Sequence, residues 1–224
     1  MNTQDSPSWT PGDLLRAFER RGYQRVELPD RCPPGSLRYE SPTSSESARQ
    51  YIQLNLKPRM NAYDVWAGFH NSNARAILNR FLDPIRQLST AENNRFHGPQ
   101  GPFWTAFNAT RVLGGLHLIP QPTDRRMGPQ QFAALVEKFL EPTFESTKTV
   151  SDIVDRLLSE EKPLEWFAGS RVARAADVLA TAAVAKRPSS EVIPQLLERC
   201  ESGSSLAARW PEVVSRLANL FDYQ

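Results

Sequence analysis

The sequence has few of the residues on which most metal and thiol chemistry depends. Its 224 residues include two cysteines and three histidines. Cys32 and Cys200 lie far apart, form no CxxC motif and have no histidine at ligand spacing. The charge is also nearly balanced, because Lys and Arg total 27 against 25 for Asp and Glu. The shortage of cysteine argues against a cysteine-based metal site, and the net charge of +2 against a strongly basic surface for nucleic acid or an anionic membrane.

The sequence also lacks the common motifs of catalysis and cofactor binding. It contains no G-x-S-x-G, no HExxH and no glycine-rich phosphate loop. The histidines His70, His97 and His117 lie in separate segments, and each is interpreted as a surface or hydrogen-bonded histidine. We therefore predict no catalytic, cofactor-binding or metal-binding residue. A hydrolase or nuclease remains an alternative if these histidines meet acidic residues in three dimensions.

Long hydrophobic runs are absent as well. No apolar segment approaches the roughly 20 residues that span a bilayer, and the N-terminus has no basic start followed by an apolar stretch. Hydrophobic residues make up 40% and charged residues 23%, as in ordinary globular proteins. We expect a soluble, cytoplasmic protein.

The clearest pattern in the sequence is a pair of alternating segments, 51–57 and 62–69. Ile52, Leu54 and Leu56 alternate with polar residues, which is the period of a strand with one buried face. Four residues separate the two segments, so the pattern predicts a β-hairpin. An amphipathic helix is predicted to start directly afterwards, at Ser72, and Pro84 predicts a kink or an end near Asp83.

Helical patterns occur before the hairpin and throughout the second half of the chain. The first predicted helix starts at Pro11 and stops at Gly22. Another is expected to run from Pro129 to a stop at Pro142, and a capping pair of Thr149 and Asp152 opens the next. An Ala-rich helix and two shorter ones follow.

The distribution of these elements predicts an α+β fold. Strands cluster in residues 1–122 and helices in residues 123–224, so we expect a mainly antiparallel sheet with flanking helices followed by a helical C-terminal part. The two parts could be separate domains or could pack as one.

This layout resembles a family of bacterial α+β domains associated with toxin-immunity and other conflict loci. The resemblance depends on the Gly22-Tyr23 turn, the hairpin, the segment Leu140-Glu141-Pro142 and the capped helix that begins after Thr149. It implies a binding protein rather than an enzyme and supplies no catalytic residues.

We therefore predict a non-enzymatic protein that binds another protein, with the role of an immunity or anti-toxin protein that neutralises a bacterial toxin. No cofactor or membrane is expected, and the sequence does not specify the oligomeric state. The predicted binding surface is the polar and aromatic face of the hairpin, formed by Tyr51, Gln53, Asn55, Lys57, Arg59, Tyr63 and Trp66. A further alternative is binding of single-stranded nucleic acid, with Tyr51 and Trp66 as stacking platforms. The low net charge disfavours it.

Overall fold

An antiparallel sheet of five strands forms the first half of the fold. The computed structural model describes residues 11–28, 34–57, 62–90, 105–112, 133–134, 136–158, 171–198 and 207–221. The strands are β1 (Gln24–Val26), β2 (Leu37–Glu40), β3 (Arg49–Lys57), β4 (Ala62–His70) and β5 (Thr105–Val112). Each strand pairs with the next along the chain, so the sheet is a simple meander. The predicted hairpin is confirmed as β3 and β4, while the turn at 58–61 lies outside the described residues.

Helices flank the sheet and make up the described C-terminal part. They are α1 (Pro11–Arg20), α2 (Ser72–Arg80), α3 (Leu82–Thr90), α4 (Glu141–Glu145), α5 (Val150–Leu158), α6 (Arg171–Val184), α7 (Ser189–Glu198) and α8 (Trp210–Phe221). A π-helical turn at Val136–Leu140 precedes α4, and a 3-10 turn at Ala207–Arg209 precedes α8. The predicted α+β fold with a helical C-terminal part is therefore confirmed. Across the described helices, no apolar stretch reaches the length of a bilayer crossing.

Local sequence signals explain where several helices begin and end. Gly22 has a φ of 83°, a backbone conformation that glycine adopts without strain, and the chain turns there after α1. At the start of α5, the backbone N–H of Thr149 donates to Asp152 Oδ2 at 2.8 Å. The N–H of Asp152 donates in return to Thr149 Oγ1 at 3.2 Å. These two bonds confirm the predicted capping pair.

Two proline-based predictions need correction. The helix from Ser72 was expected to end or kink near Asp83, but α2 stops at Arg80 and α3 begins at Leu82 with Pro84 in its first turn. Pro142 was expected to end a helix, yet it lies near the start of α4. Proline is tolerated in a first turn because the N–H it lacks has no partner within the helix there. At Pro84 the break comes before the proline, whereas at Pro142 the π-helical turn continues directly into α4.

One hydrophobic core joins the sheet to the helices. The core-facing side of the sheet carries Tyr39, Ile52 and Phe69, all fully buried. The ring of Phe69 meets that of Phe144 from α4 edge to face, with centroids 6.0 Å apart. Buried residues of the sheet and of the C-terminal helices belong to a single cluster. The predicted boundary between the two parts, at residues 122 and 123, lies outside the described residues.

Candidate functional site

The face of the sheet opposite this core is polar and aromatic. In the register of the sheet, Gln53 on β3 lies between Arg38 on β2 and Trp66 on β4. At the end of the same two long strands, Arg49 pairs with His70. We call the set formed by Arg38, Arg49, Tyr51, Gln53, Trp66 and His70 the outer-face cluster.

Hydrogen bonds connect the polar members of this face. Arg38 Nη2 donates to Gln53 Oε1. Gln53 Nε2 donates to Asn55 Oδ1 at 2.7 Å, and Ser36 Oγ donates to the same oxygen at 3.0 Å. Each bond fixes the orientation of an amide or guanidinium group, so the surface is ordered by side chains from two neighbouring strands.

Tyr51 lies at the centre of the cluster and is only 6% exposed. The guanidinium of Arg38 lies over its ring, 5.4 Å from the centroid, in a cation–π arrangement. Arg49 Nη1 lies 3.4 Å from the Tyr51 hydroxyl oxygen, and the side chains of Val26 and Trp66 pack against the ring. Arg38, itself 3% exposed, keeps its charge beside an aromatic face and a hydrogen-bonded amide, which offsets part of the cost of burying it.

The electrostatic environment at the end of β4 is positive. Burial, together with the positive charges of Arg75, Arg38 and Arg49, lowers the pKa of His70 to about 4. His70 is therefore neutral at physiological pH. Arg75 has a lowered pKa of its own, because it is partly buried, and the carboxylate of Asp177 opposes that shift.

The structure shows where the described residues of the predicted binding surface lie and corrects the expected exposure of two of them. Tyr51 and Gln53 were expected on an exposed face; they lie on the expected side of the sheet but are buried, at 6% and 8% exposure. Arg38 and Trp66 from the adjacent strands pack around them, which explains the difference. Asn55 and Trp66 are partly exposed.

The remaining predicted surface residues cannot be placed as side chains. Lys57 and Tyr63 belong to β3 and β4, and Tyr63 pairs with Leu56 in the register, but their side chains lie outside those described. Arg59 lies outside the described residues altogether.

Sequence reasoning missed Arg38 as a member of the site. It lies in the short strand Leu37–Glu40, where it alternates with the core residue Tyr39. That alternation was the available signal, although four residues are too few to assign a face without knowing the pairing partner.

Other candidate chemistry receives no support from the described part of the chain. Within it, no group of three His, Cys, Asp or Glu side chains could hold a metal ion. Cys32, Cys200, His97 and His117 lie outside the described residues.

Comparisons of the chain with models of protein families, with curated proteins and with solved structures find no match. The resemblance to toxin-immunity domains therefore stays a prediction.

Proposed function

We propose that this protein binds another protein through the outer-face cluster, and that it acts in the cytoplasm as an immunity protein that neutralises a bacterial toxin. The observation that supports the proposal is the composition of this face. Arginine, tyrosine and tryptophan, the residue types enriched at binding hot spots, are gathered there in a hydrogen-bonded arrangement. The apolar face of the sheet is used for the core and is not available to a partner.

The cluster combines buried support with accessible groups. Arg38, Tyr51 and Gln53 are buried and hold one another in place. Arg49 is exposed above them, and Trp66 and His70 are partly exposed. Side chains that are already ordered lose less conformational entropy on association, so a surface of this kind favours binding of a rigid partner.

The two alternatives are less well supported by this geometry. Stacking of a nucleic-acid base on Tyr51 requires an open ring face, but that ring is buried with Arg38 over it. A hydrolase that used His70 as a general base would pair it with a carboxylate, whereas the charged groups that shift its pKa are arginines. An enzyme site built on His97 or His117 stays an untested alternative, since both lie outside the described residues.

The proposal is tested with the product of the adjacent reading frame in the source genome. Isothermal titration calorimetry should detect a complex with a Kd below about 1 μM. Trp66→Ala removes a partly exposed aromatic side chain at the centre of the face and should weaken binding about 30-fold, the effect of losing a hot spot. Arg49→Glu reverses an exposed charge and should weaken it similarly. Arg216→Glu serves as the control, because Arg216 is an exposed arginine on α8.

A growth assay tests the immunity role separately. Co-expression of this protein should restore growth to cells that express a toxic neighbouring product, and Trp66→Ala should reduce that protection. Circular dichroism melts of each variant must match the parent to show that the fold is retained. Failure to form any complex, or equal binding by the outer-face variants and the control, would contradict the proposal.

A further inference from the structure

One end of the outer-face cluster brings several arginines close to His70. Arg49 is exposed, and its hydrogen bond within the described chain is to the hydroxyl of Tyr51. The hydrogen bond to Tyr51 raises the pKa of Arg49, and the charges of Glu40 and Glu46 raise it further, but neither glutamate forms an ion pair with it among the described contacts. Opposite Arg49 in the register lies His70, in the combined field of Arg49 and the arginines at positions 38 and 75.

The start of α2 adds to this field. The helix begins at Ser72, two residues after His70, and Asn71 caps it by accepting a hydrogen bond from the N–H of Ala74 at 2.9 Å. The first turn of a helix carries a positive partial charge from its backbone N–H groups, which favours a nearby anion. Arg75 lies in this first turn as well and acts on His70 in the same direction as the helix dipole, although the carboxylate of Asp177 offsets part of its charge.

We propose that Arg49 and His70, at the end of β3 and β4 that adjoins α2, form a binding site for a carboxylate group of the partner protein. The site is part of the contact surface proposed above and rests on that proposal. Arg49 supplies an exposed guanidinium, whose geometry matches a carboxylate. Neutral His70 supplies one ring N–H, and the buried Arg38 and the partly buried Arg75 contribute their field without needing to reach the ligand.

The site can be tested without the partner by using small peptides. Ac-Gly-Glu-Gly-NH2 carries a side-chain carboxylate, Ac-Gly-Gly-Gly-OH carries a terminal one, and Ac-Gly-Gln-Gly-NH2 carries none. NMR titration at neutral pH and constant ionic strength follows the ring signals of His70. We expect the two carboxylate peptides to shift these signals saturably and the glutamine peptide to leave them unchanged. The carboxylate peptide that binds with the higher affinity shows whether the site prefers an acidic side chain or a C-terminal carboxylate.

Variants assign the binding to Arg49. Arg49→Ala should weaken peptide binding at least about tenfold, the effect of one charge-assisted hydrogen bond. Arg86→Ala, which removes an exposed arginine on α3, should bind as the parent does. Equal shifts with the glutamine peptide, or unchanged affinity in Arg49→Ala, would overturn the carboxylate site.

The peptide titration tests the carboxylate site, and the measurement of the protein complex tests the proposed function, so the two claims can be contradicted separately. Peptide binding without any protein complex would remove the proposed function and leave the site intact. A complex that tolerates Arg49→Ala, together with no peptide binding, would remove the site and leave the protein-binding function.

Discussion

Gln50 offers the sharpest test of how the sheet and the C-terminal helices are joined. It is fully buried in β3, where most buried positions are apolar. Its Nε2 donates to the backbone oxygen of Phe144 at 2.6 Å and to that of Thr147 at 2.8 Å. Its Oε1 accepts from Thr43 Oγ1 at 2.6 Å. The Gln50 side chain therefore forms hydrogen bonds with two backbone carbonyls about 95 residues further along the chain and with the hydroxyl of Thr43 in the strand-rich part.

Gln50→Ala should lower the free energy of unfolding by about 3 kcal/mol, because three buried hydrogen bonds of about 1 kcal/mol each are lost. For a chain of this size, that corresponds to a fall in Tm of about 6 to 12 °C. Urea denaturation followed by circular dichroism, with a parallel thermal melt, measures both quantities. Gln195→Ala is the matched control, since Gln195 makes one exposed bond of 3.2 Å to the backbone oxygen of Glu191, and it should change stability by less than about 0.5 kcal/mol.

Gln50→Glu changes the hydrogen bonds without changing the volume of the side chain, so it separates the two contributions to stability. A carboxylate of the same shape cannot donate to the two carbonyls, so at neutral pH this variant should be less stable than Gln50→Ala. Burial raises the pKa of such a carboxyl above its unfolded value of about 4.3. The variant is therefore best tolerated below that pH and loses stability as pH rises towards its folded pKa. A loss of under about 1 kcal/mol in Gln50→Ala, or no pH dependence beyond that of the parent in Gln50→Glu, would refute this account of the junction.

Three further predictions concern single positions. Asn71 caps α2 and also donates Nδ2 to the backbone oxygen of Ser47 at 2.6 Å, so Asn71→Ala should cost about 2 kcal/mol in urea denaturation. Asn71→Asp keeps the cap and should cost about half as much; equal losses would mean that the cap contributes nothing. Lys186 has a φ of 58°, so Lys186→Gly should raise the free energy of unfolding in urea by about 0.5 to 1 kcal/mol, and an unchanged or lower value would contradict this. His70 has a pKa of about 4 when folded against about 6.5 when unfolded, so stability falls as pH drops through that window. Melts of His70→Asn should show a smaller loss over the same range, and an identical loss would exclude His70 as the cause.

Features encoded over a few residues were predictable from the sequence. The hairpin follows from the alternation of Ile52 and Leu54, because a period of two has one structural interpretation at that length. The capping pair of Thr149 and Asp152 is likewise specified by two residues at a fixed spacing. Neither feature depends on a distant part of the chain.

Features that depend on the partner strand were not predictable in the same way. The alternation correctly placed Tyr51 and Gln53 on the polar face, but their burial results from Arg38 and Trp66, which neighbouring strands bring alongside. Pro142 was misplaced for a different reason: helical residues precede it as expected, but the helical conformation continues through α4 to Glu145 instead of ending at the proline. The candidate site therefore follows from the pairing register, which the hydrophobic pattern of one strand does not determine.

The central claim is that the outer face of the sheet contacts a partner protein, and tryptophan provides a direct measurement of it. The chain contains five tryptophans, which 5-fluorotryptophan labels for 19F NMR. Trp66 lies partly exposed on the outer face, whereas Trp210 is buried in the helical part, with its indole N–H donating to the backbone oxygen of Leu196 at 2.8 Å. Signals are assigned with Trp66→Phe and Trp210→Phe. On addition of the partner, the signal of Trp66 should shift while that of Trp210 stays in place. A complex that leaves the Trp66 signal unmoved would contradict the claim.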